Sequence, residues 1–172
     1  MYTTARGWSS TCGCSPQHVR LQPPAHTLSQ VYRAAEDSDG DYPSLHGLSR
    51  TAGEGGGPAV CDSDGYVALI DIRGTSSARF NLHDKKIYSV DFSPTRPWLL
   101  ATSSIDRTVK LWDCRKLSPS KSKSKPVVAL EHTLAVTAAR FSPSGARLLT
   151  TCNDSLLRVW GGGDDAGWAA ST

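Results

Sequence analysis

The ten residues "DRTVKLWDCR" (Asp106–Arg115) decide the fold, because they recur. "DGYVALIDIR" (Asp64–Arg73) aligns with them at a constant offset of 42, setting Asp64 on Asp106, Val67 on Val109, Leu69 on Leu111, Asp71 on Asp113 and Arg73 on Arg115. "DSLLRVW" (Asp154–Trp160) aligns at an offset of 48, setting Asp154 on Asp106 and Trp160 on Trp112. The longer spacing is taken up by "SPSKSKSKP", a Ser/Lys-rich loop. Each copy opens on a turn-forming Asp and runs into alternating apolar residues, the mark of a short strand entered from a tight turn.

The segments before these strands repeat as well. "HDKKIYSVDFSP" (His83–Pro94) matches "HTLAVTAARFSP" (His132–Pro143), so that Ile87, Val90 and Phe92 correspond to Val136, Ala139 and Phe141. Each copy then reaches a pair of leucines, Leu99-Leu100 and Leu148-Leu149. Short strands at a regular spacing predict an all-β chain built of hairpins, and a period of about 40–45 residues identifies the pattern as similar to the WD repeat. The resemblance runs from Val60 to Trp160. It implies four antiparallel strands per unit, each unit one blade of a β-propeller.

Within that resemblance, a His before the first strand, a Ser/Thr in the second, an Asp before the third and a Trp at its end form a hydrogen-bonded network. Here it falls on His83, Thr102, Asp106 and Trp112. The second copy supplies His132, Asp154 and Trp160, with Thr150 or Thr151 as the hydroxyl. An indole N–H is a donor only, so the hydroxyl must accept from it. The same residue types also suit a Ser-His-Asp nucleophile, which is defined by geometry and an exposed hydroxyl. Recurrence at blade spacing favours the structural role, since one active site needs no second copy. Cys114 and Cys152 sit beside strand positions, where packing thiols are expected.

The strand pattern supplies fewer than three blades: three strands before His83, a whole blade with "VVALE" as its outer strand, and three strands after His132. Propellers need at least about four blades. The expectation is therefore a partial WD-repeat β-propeller, a fragment or truncated product with uncovered apolar faces. Residues 58–160 hold the blades. Residues 1–57, with the acidic "EDSDGDYP" and the Gly-rich "TAGEGGGP", show no sustained period and are expected to be mostly disordered. Residues 161–172, "GGGDDAGWAAST", carry no strand pattern and are expected to be a disordered tail.

Composition narrows the function. No run of 18 or more apolar residues appears, so no membrane partner is expected. The first twenty residues lack an apolar core of signal-peptide length, so secretion is not expected. Five scattered cysteines argue against a disulfide framework. Cys12-Gly-Cys14 with His18 does not match a zinc spacing, and no metal or other cofactor is expected. The net charge of +3 is uneven: residues 1–81 hold six Lys/Arg against eight Asp/Glu, and the rest thirteen against eight. The patterned half is the basic half, which permits a polyanionic partner.

"NLHDKKIYSVDFSPTRPWLLATSSIDRTVKLWDCRKL" and "ARLLTTC" resemble the central blades of the DNA damage-binding WD-repeat proteins. That family includes DNA damage-binding protein 2 and the WD repeat-containing protein 76 or CMR group. The resemblance implies a nuclear, non-catalytic protein of the DNA damage response with no small-molecule substrate. It puts Lys85 and Lys86 on a loop facing DNA, where lysines meet phosphate, although Asp84 lowers the local field. The aromatic hairpin that inserts into damaged DNA in DNA damage-binding protein 2 has no match here. Trp112-Asp113-Cys114-Arg115 fits the Trp-Asp-x-Arg box, which in the family docks on the adaptor of cullin-4 ubiquitin ligases. Trp112, Asp113 and Arg115 are the candidate residues, Arg115 offering a planar fork. Ile70-Asp71-Ile72-Arg73 repeats the box weakly, and the third copy, Trp160-Gly161-Gly162-Gly163, lacks the Arg. A generic WD-repeat scaffold without a DNA role is the alternative.

Overall fold

The computed structural model describes residues 43–50, 57–71, 76–119, 124–162 and 167–170. The Cys12, Cys14 and His18 grouping, Ile72-Arg73 and Ser120–Lys123 lie outside them. The chain forms twelve strands among the described residues: β1 (Leu45–Arg50), β2 (Pro58–Asp62), β3 (Tyr66–Asp71), β4 (Ser76–Asn81), β5 (Ile87–Phe92), β6 (Leu99–Ser104), β7 (Thr108–Asp113), β8 (Val128–Glu131), β9 (Val136–Phe141), β10 (Arg147–Cys152), β11 (Leu157–Gly161) and β12 (Ala169–Ala170). They pair as three antiparallel meanders, β1-β2-β3-β4, β5-β6-β7-β8 and β9-β10-β11-β12. No helix among the described residues is long and apolar enough to cross a membrane.

These are blades of a partial propeller, and two strands lie outside the expected bounds of 58–160. The first blade has a fourth strand, β1, which lies within residues 1–57. The third gains a short outer strand, β12, within 161–172. Neither carries the repeat's pattern, because packing decides them. Gly47 of β1 admits no side chain: a Cβ there would stand 2.7 Å from Cys61 Sγ and 3.1 Å from the Ser89 backbone. The strand survives its glycine because that is where it approaches β5 closely. β12 is carried by Trp168, whose ring meets Phe141 edge-on at 6.0 Å between centroids.

The middle blade is buried on both faces. Leu100 and Trp112 turn toward the first blade, into a core with Val67, Phe80, Ile87 and Val90. Leu99, Ala101, Val109 and Leu111 turn the other way, against Val136, Ala139 and Leu148 of the third blade. The period-two alternation of "TVKLW" thus feeds two cores, which is why its strands are apolar on both sides. Among the described residues, the outer blades each have one face covered. Leu48 of β1 is 65% exposed and Leu157 of β11 is 59% exposed.

Polar side chains stitch the inner strands together. Ser49 Oγ of β1 accepts the Phe92 N–H of β5 at 3.2 Å and donates to Asp91 Oδ1 at 3.1 Å. Asp91 Oδ2 accepts the Phe141 N–H of β9 at 2.9 Å, and Ser89 Oγ accepts that of Ala139 at 3.0 Å. These inner-strand N–H groups point away from their own sheet, so each needs such an acceptor.

Candidate nucleic-acid and partner interfaces

Two ends of the middle blade carry the candidate residues, and a buried network between them holds the blade rigid. His83 is 1% exposed and Thr102 is fully buried. His83 Nδ1 meets Asp106 Oδ2 at 2.7 Å, and Nε2 meets Thr102 Oγ1 at 2.7 Å. Trp112 Nε1–H donates to the same Thr102 oxygen at 2.8 Å. One assignment of protons satisfies every atom: the imidazole donates from Nδ1 to the carboxylate, and the hydroxyl donates to Nε2 while accepting from the indole. Burial lowers the His83 pKa despite the Asp106 hydrogen bond, so the ring is neutral, as this assignment requires. Burial works against an ionised Asp106, but hydrogen bonds from His83 and Thr108 outweigh it and hold the carboxyl below the usual range. The hydroxyl is saturated and shut off from solvent. It cannot serve as a nucleophile.

The third blade keeps only part of this arrangement. Thr150 is the hydroxyl, at 2.9 Å from both His132 Nε2 and Trp160 Nε1, while Thr151 bonds Thr137 instead. Asp154 does not reach His132, which corrects the expected grouping. Its Oδ2 accepts from Thr133 Oγ1 and Arg158 Nη2, and His132 Nδ1 turns to the Leu130 carbonyl at 3.3 Å. Where the middle blade has Asp84 after its His, this one has Thr133, a donor that captures the carboxylate. Among the described residues the first blade has no such network, with Val60 paired where Thr102 would be and Ile70 where Trp112 would be.

Lys85 and Lys86 lie on the loop between β4 and β5. Its backbone is pinned from both sides. The Lys86 carbonyl accepts from Ser104 Oγ at 2.8 Å and from the Ile105 N–H at 3.0 Å. On the other flank, Leu82 and His83 N–H groups both donate to the Gly65 carbonyl at 3.1 Å. Gly65 takes φ +87°, and a Cβ there would stand 2.2 Å from the His83 carbonyl oxygen, so only glycine lets the turn close on the loop. Lys85 is exposed; Lys86 is half-buried, its Nζ 5.1 Å from the centre of the Tyr88 ring. A fixed backbone with cationic tips is suited to a phosphate contact.

At the other end, Asp113 caps the 3-10 turn Cys114–Lys116. Its Oδ1 accepts from the Arg115 N–H at 3.0 Å and from Nε at 2.9 Å, and its Oδ2 from Nη2 at 2.8 Å. The Arg115 hydrogen bonds hold the Asp113 carboxyl below its ordinary value and raise the guanidinium's. The Arg115 side chain is 62% exposed and its partner only 4%. Its guanidinium also lies 4.3 Å over the Trp98 ring, a residue that the sequence reading passed over. Asp113 and Arg115 therefore pair locally, and that pairing fixes the fork while its outer N–H groups face solvent. Cys114 beside it has its thiol pushed up to about 12 by burial, so it is no nucleophile. Among the described residues no group of three or more His, Cys, Asp or Glu converges as a metal site.

Comparison with known proteins agrees with the blade architecture. The WD40 family model (WD domain, G-beta repeat) matches residues 74–113 and 124–161. DNA damage-binding protein 2 of Bos taurus is 42% identical over 99 residues, covering 58% of this chain and 22% of that protein. Protein DAMAGED DNA-BINDING 2 of Arabidopsis thaliana is 34% identical over 121 residues, covering 67% of this chain and 21% of that protein. DNA damage-binding protein CMR1 of Phaeosphaeria nodorum is 31% identical over 147 residues, covering 83% of this chain and 28% of that protein. The chain thus spans between 21% and 28% of the length of these relatives. Its blades are built of WD40 repeats and are related in sequence to DNA damage-binding protein 2 and CMR1.

Proposed function

We propose that this chain binds DNA without catalysis, in the nucleus and in the DNA damage response, through the loop that carries Lys85 and Lys86. The observation behind this reading is a pair of lysines on a loop whose backbone is pinned on both flanks, in a sequence akin to proteins named for damaged-DNA binding. A phosphate contact needs a positive head group held at a loop tip, and it carries no sequence information. The opposite end of the same blade, with Arg115 clamped by Asp113 against Trp98, is proposed to dock on the adaptor of cullin-4 ubiquitin ligases. A planar fork held in one orientation loses little freedom on meeting a carboxylate or carbonyls of a partner.

The test of the first part is anisotropy of a labelled duplex, intact and UV-irradiated, across a salt series. Lys86→Glu is expected to weaken binding and to reduce the salt slope; an unchanged slope removes DNA from that loop. A second reading, a protein-interaction scaffold with no DNA role, is favoured by Asp84, whose charge offsets one of the two lysines beside it. Binding that ignores both salt and Lys86 selects it. Loss of adaptor capture on Arg115→His supports the second part of the proposal, and retention counts against it.

A further inference from the structure

Four serines of this chain precede a proline: Ser15, Ser93, Ser118 and Ser142. Proline-directed kinases select such a step by the missing N–H of proline, and a basic residue at the third position adds a charge contact. Two of the four have that basic residue, Ser93 with Arg96 and Ser118 with Lys121. The fold separates them. Ser93 is fully buried in the turn from β5 to β6, where its N–H donates to the Leu99 carbonyl at 2.9 Å and its Oγ accepts the Arg96 N–H at 3.3 Å. Ser142 holds the matching turn of the third blade, its N–H and Oγ both engaged by the Arg147 backbone at 2.8 and 3.1 Å. Ser15 lies outside the described residues. Ser118 stands instead in the connection between β7 and β8, just past the 3-10 turn Cys114–Lys116. Leu117 leaves that turn extended, at φ −70° and ψ 139°, and a residue before proline is held extended too. A kinase cleft accepts an extended segment, whereas a hairpin turn cannot enter it without unpairing two strands.

We propose that Ser118 is a phosphorylation site for a proline-directed kinase, and that Lys116 and Lys125 receive the phosphate. The γ-phosphoryl group of ATP passes to Ser118 Oγ. The new O–P bond forms as the bond to the β,γ-bridging oxygen breaks, ADP leaves, and the hydroxyl proton goes to the catalytic Asp of the kinase. The surroundings suit the product. Residues 114–130 hold five Lys/Arg and no Asp or Glu. Lys116 and Lys125 line one hollow of about 310 Å³ together with Asp113, Leu117 and Val127, and Leu117 is the neighbour of Ser118. Asp113 does not repel the phosphate, because the Arg115 fork already neutralises it. Lys116 Nζ lies 3.8 Å from Asp113 Oδ2 with its side chain 81% exposed, so it turns to a phosphate at little cost. The phosphoserine carries a charge of about −1.5 to −2 at neutral pH, three residues after Arg115. It offsets the field of the clamped guanidinium, and a partner's carboxylate then meets repulsion there. The Lys86 end of the blade lies beyond a Debye length of about 8 Å and keeps its charge. This switching of the Arg115 end rests on the docking reading; the modification itself does not.

The test incubates the full chain with ATP and a purified cyclin-dependent kinase and maps the phosphopeptides by mass spectrometry. Ser118 is expected to take most of the phosphate, and Ser118→Ala and Pro119→Ala each to lower incorporation about tenfold. Phosphate found mainly on other residues, or incorporation that survives Ser118→Ala, overturns the site. Phosphorus-31 NMR of the product reads the receiving lysines. The second pKa of the phosphoserine, about 6 when free, is expected to fall by about half a unit or more and to return in Lys116→Gln with Lys125→Gln. An unshifted value in the unaltered chain overturns the lysine pair as receiver. Capture of the cullin-4 adaptor is expected to drop about tenfold on phosphorylation of the unaltered chain and to stay constant in Ser118→Ala, with duplex binding the same throughout. Equal capture before and after phosphorylation overturns the switch. An unmodified chain that captures no adaptor overturns the docking reading and the switch together, while the phosphopeptide map still decides the site.

Discussion

Thr102→Val is the sharpest probe of how the middle blade is held. Valine has nearly the shape of threonine, so no cavity opens and no strand is disturbed. What disappears is one oxygen, and that oxygen serves two buried rings: it accepts from Trp112 Nε1 at 2.8 Å and contacts His83 Nε2 at 2.7 Å. Trp112 is 1% exposed, so water cannot replace the lost acceptor. Each orphaned buried group costs about 1–3 kcal/mol, and two of them predict a loss of about 2–4 kcal/mol once some relaxation is allowed. Thr150→Val is the internal control. It removes the same two bonds, but Trp160 is only half-buried and solvent can reach it, so about 1 kcal/mol is expected.

The assay is urea unfolding of the wild type and both variants, followed by far-UV circular dichroism, with the slope checked for constancy. A double variant, Thr102→Val with Trp112→Phe, adds a cycle: once the indole N–H is gone the hydroxyl has one partner fewer, and the pair should fall short of additivity by about 1 kcal/mol. Equal costs for Thr102→Val and Thr150→Val, or a cost below about 0.5 kcal/mol for the first, would refute the assignment of the network as a buried, saturated structural element.

Gly65→Ala places a Cβ 2.2 Å from the His83 carbonyl oxygen at φ +87°, and a loss of about 2 kcal/mol or more in unfolding free energy is expected, together with weakened duplex binding as the lysine loop is displaced. Acid should unfold the chain in two stages. The folded His83 pKa lies below its unfolded value near 6.5, so its contribution is present above that value and is lost as pH falls from about 6.5 toward the folded pKa. Asp106, depressed by its hydrogen bonds from His83 and Thr108 against the opposing effect of burial, keeps its contribution down to about pH 4 and loses it below. Asp106→Asn should flatten the lower stage, read as unfolding midpoint against pH. Leu48→Lys with Leu157→Lys puts charge on the two uncovered outer faces and is expected to reduce concentration-dependent association in sedimentation velocity without shifting the unfolding midpoint by more than a few degrees.

What was legible in the sequence was whatever repeats. Asp64, Asp106 and Asp154 each open a third strand, and the leucine pairs each lie in a second, because the blade imposes one apolar phase on every copy. β1 was illegible for the same reason. "LHGLSR" has Gly47 where the next blade has Ser89 and ends on Arg50 where that blade has Phe92; only its approach to β5 makes it a strand. The aromatic contacts were hidden differently. Trp98 under Arg115 and His46 beside Tyr88 join residues from separate turns or blades, and no local period can announce such pairs. The misplaced Asp154 shows the limit of repeat logic itself. Copies share backbone geometry, but one substitution, Thr133 in place of Asp84, gives the carboxylate another donor and reroutes the network.

The stretch Asp106–Arg115 also sets how far apart the two proposed surfaces stand. β5 and β7 each pair antiparallel with β6, so they run the same way. Lys86 stands just before β5 and Arg115 just after β7, which puts them at opposite ends of one blade. A six-residue strand at about 3.4 Å per residue separates them by roughly 20 Å. Both ends are tied into the same buried interior. The Lys86 carbonyl is held by Ser104 at the end of β6, and the Asp113 that clamps Arg115 directly follows Trp112, whose indole is fixed to Thr102. A change that loosens Thr102 should therefore weaken both ends together, whereas Lys86→Glu and Arg115→His should each affect one end and spare the other. That pattern of cross-effects distinguishes a rigid spacer with two independent surfaces from a single extended interface.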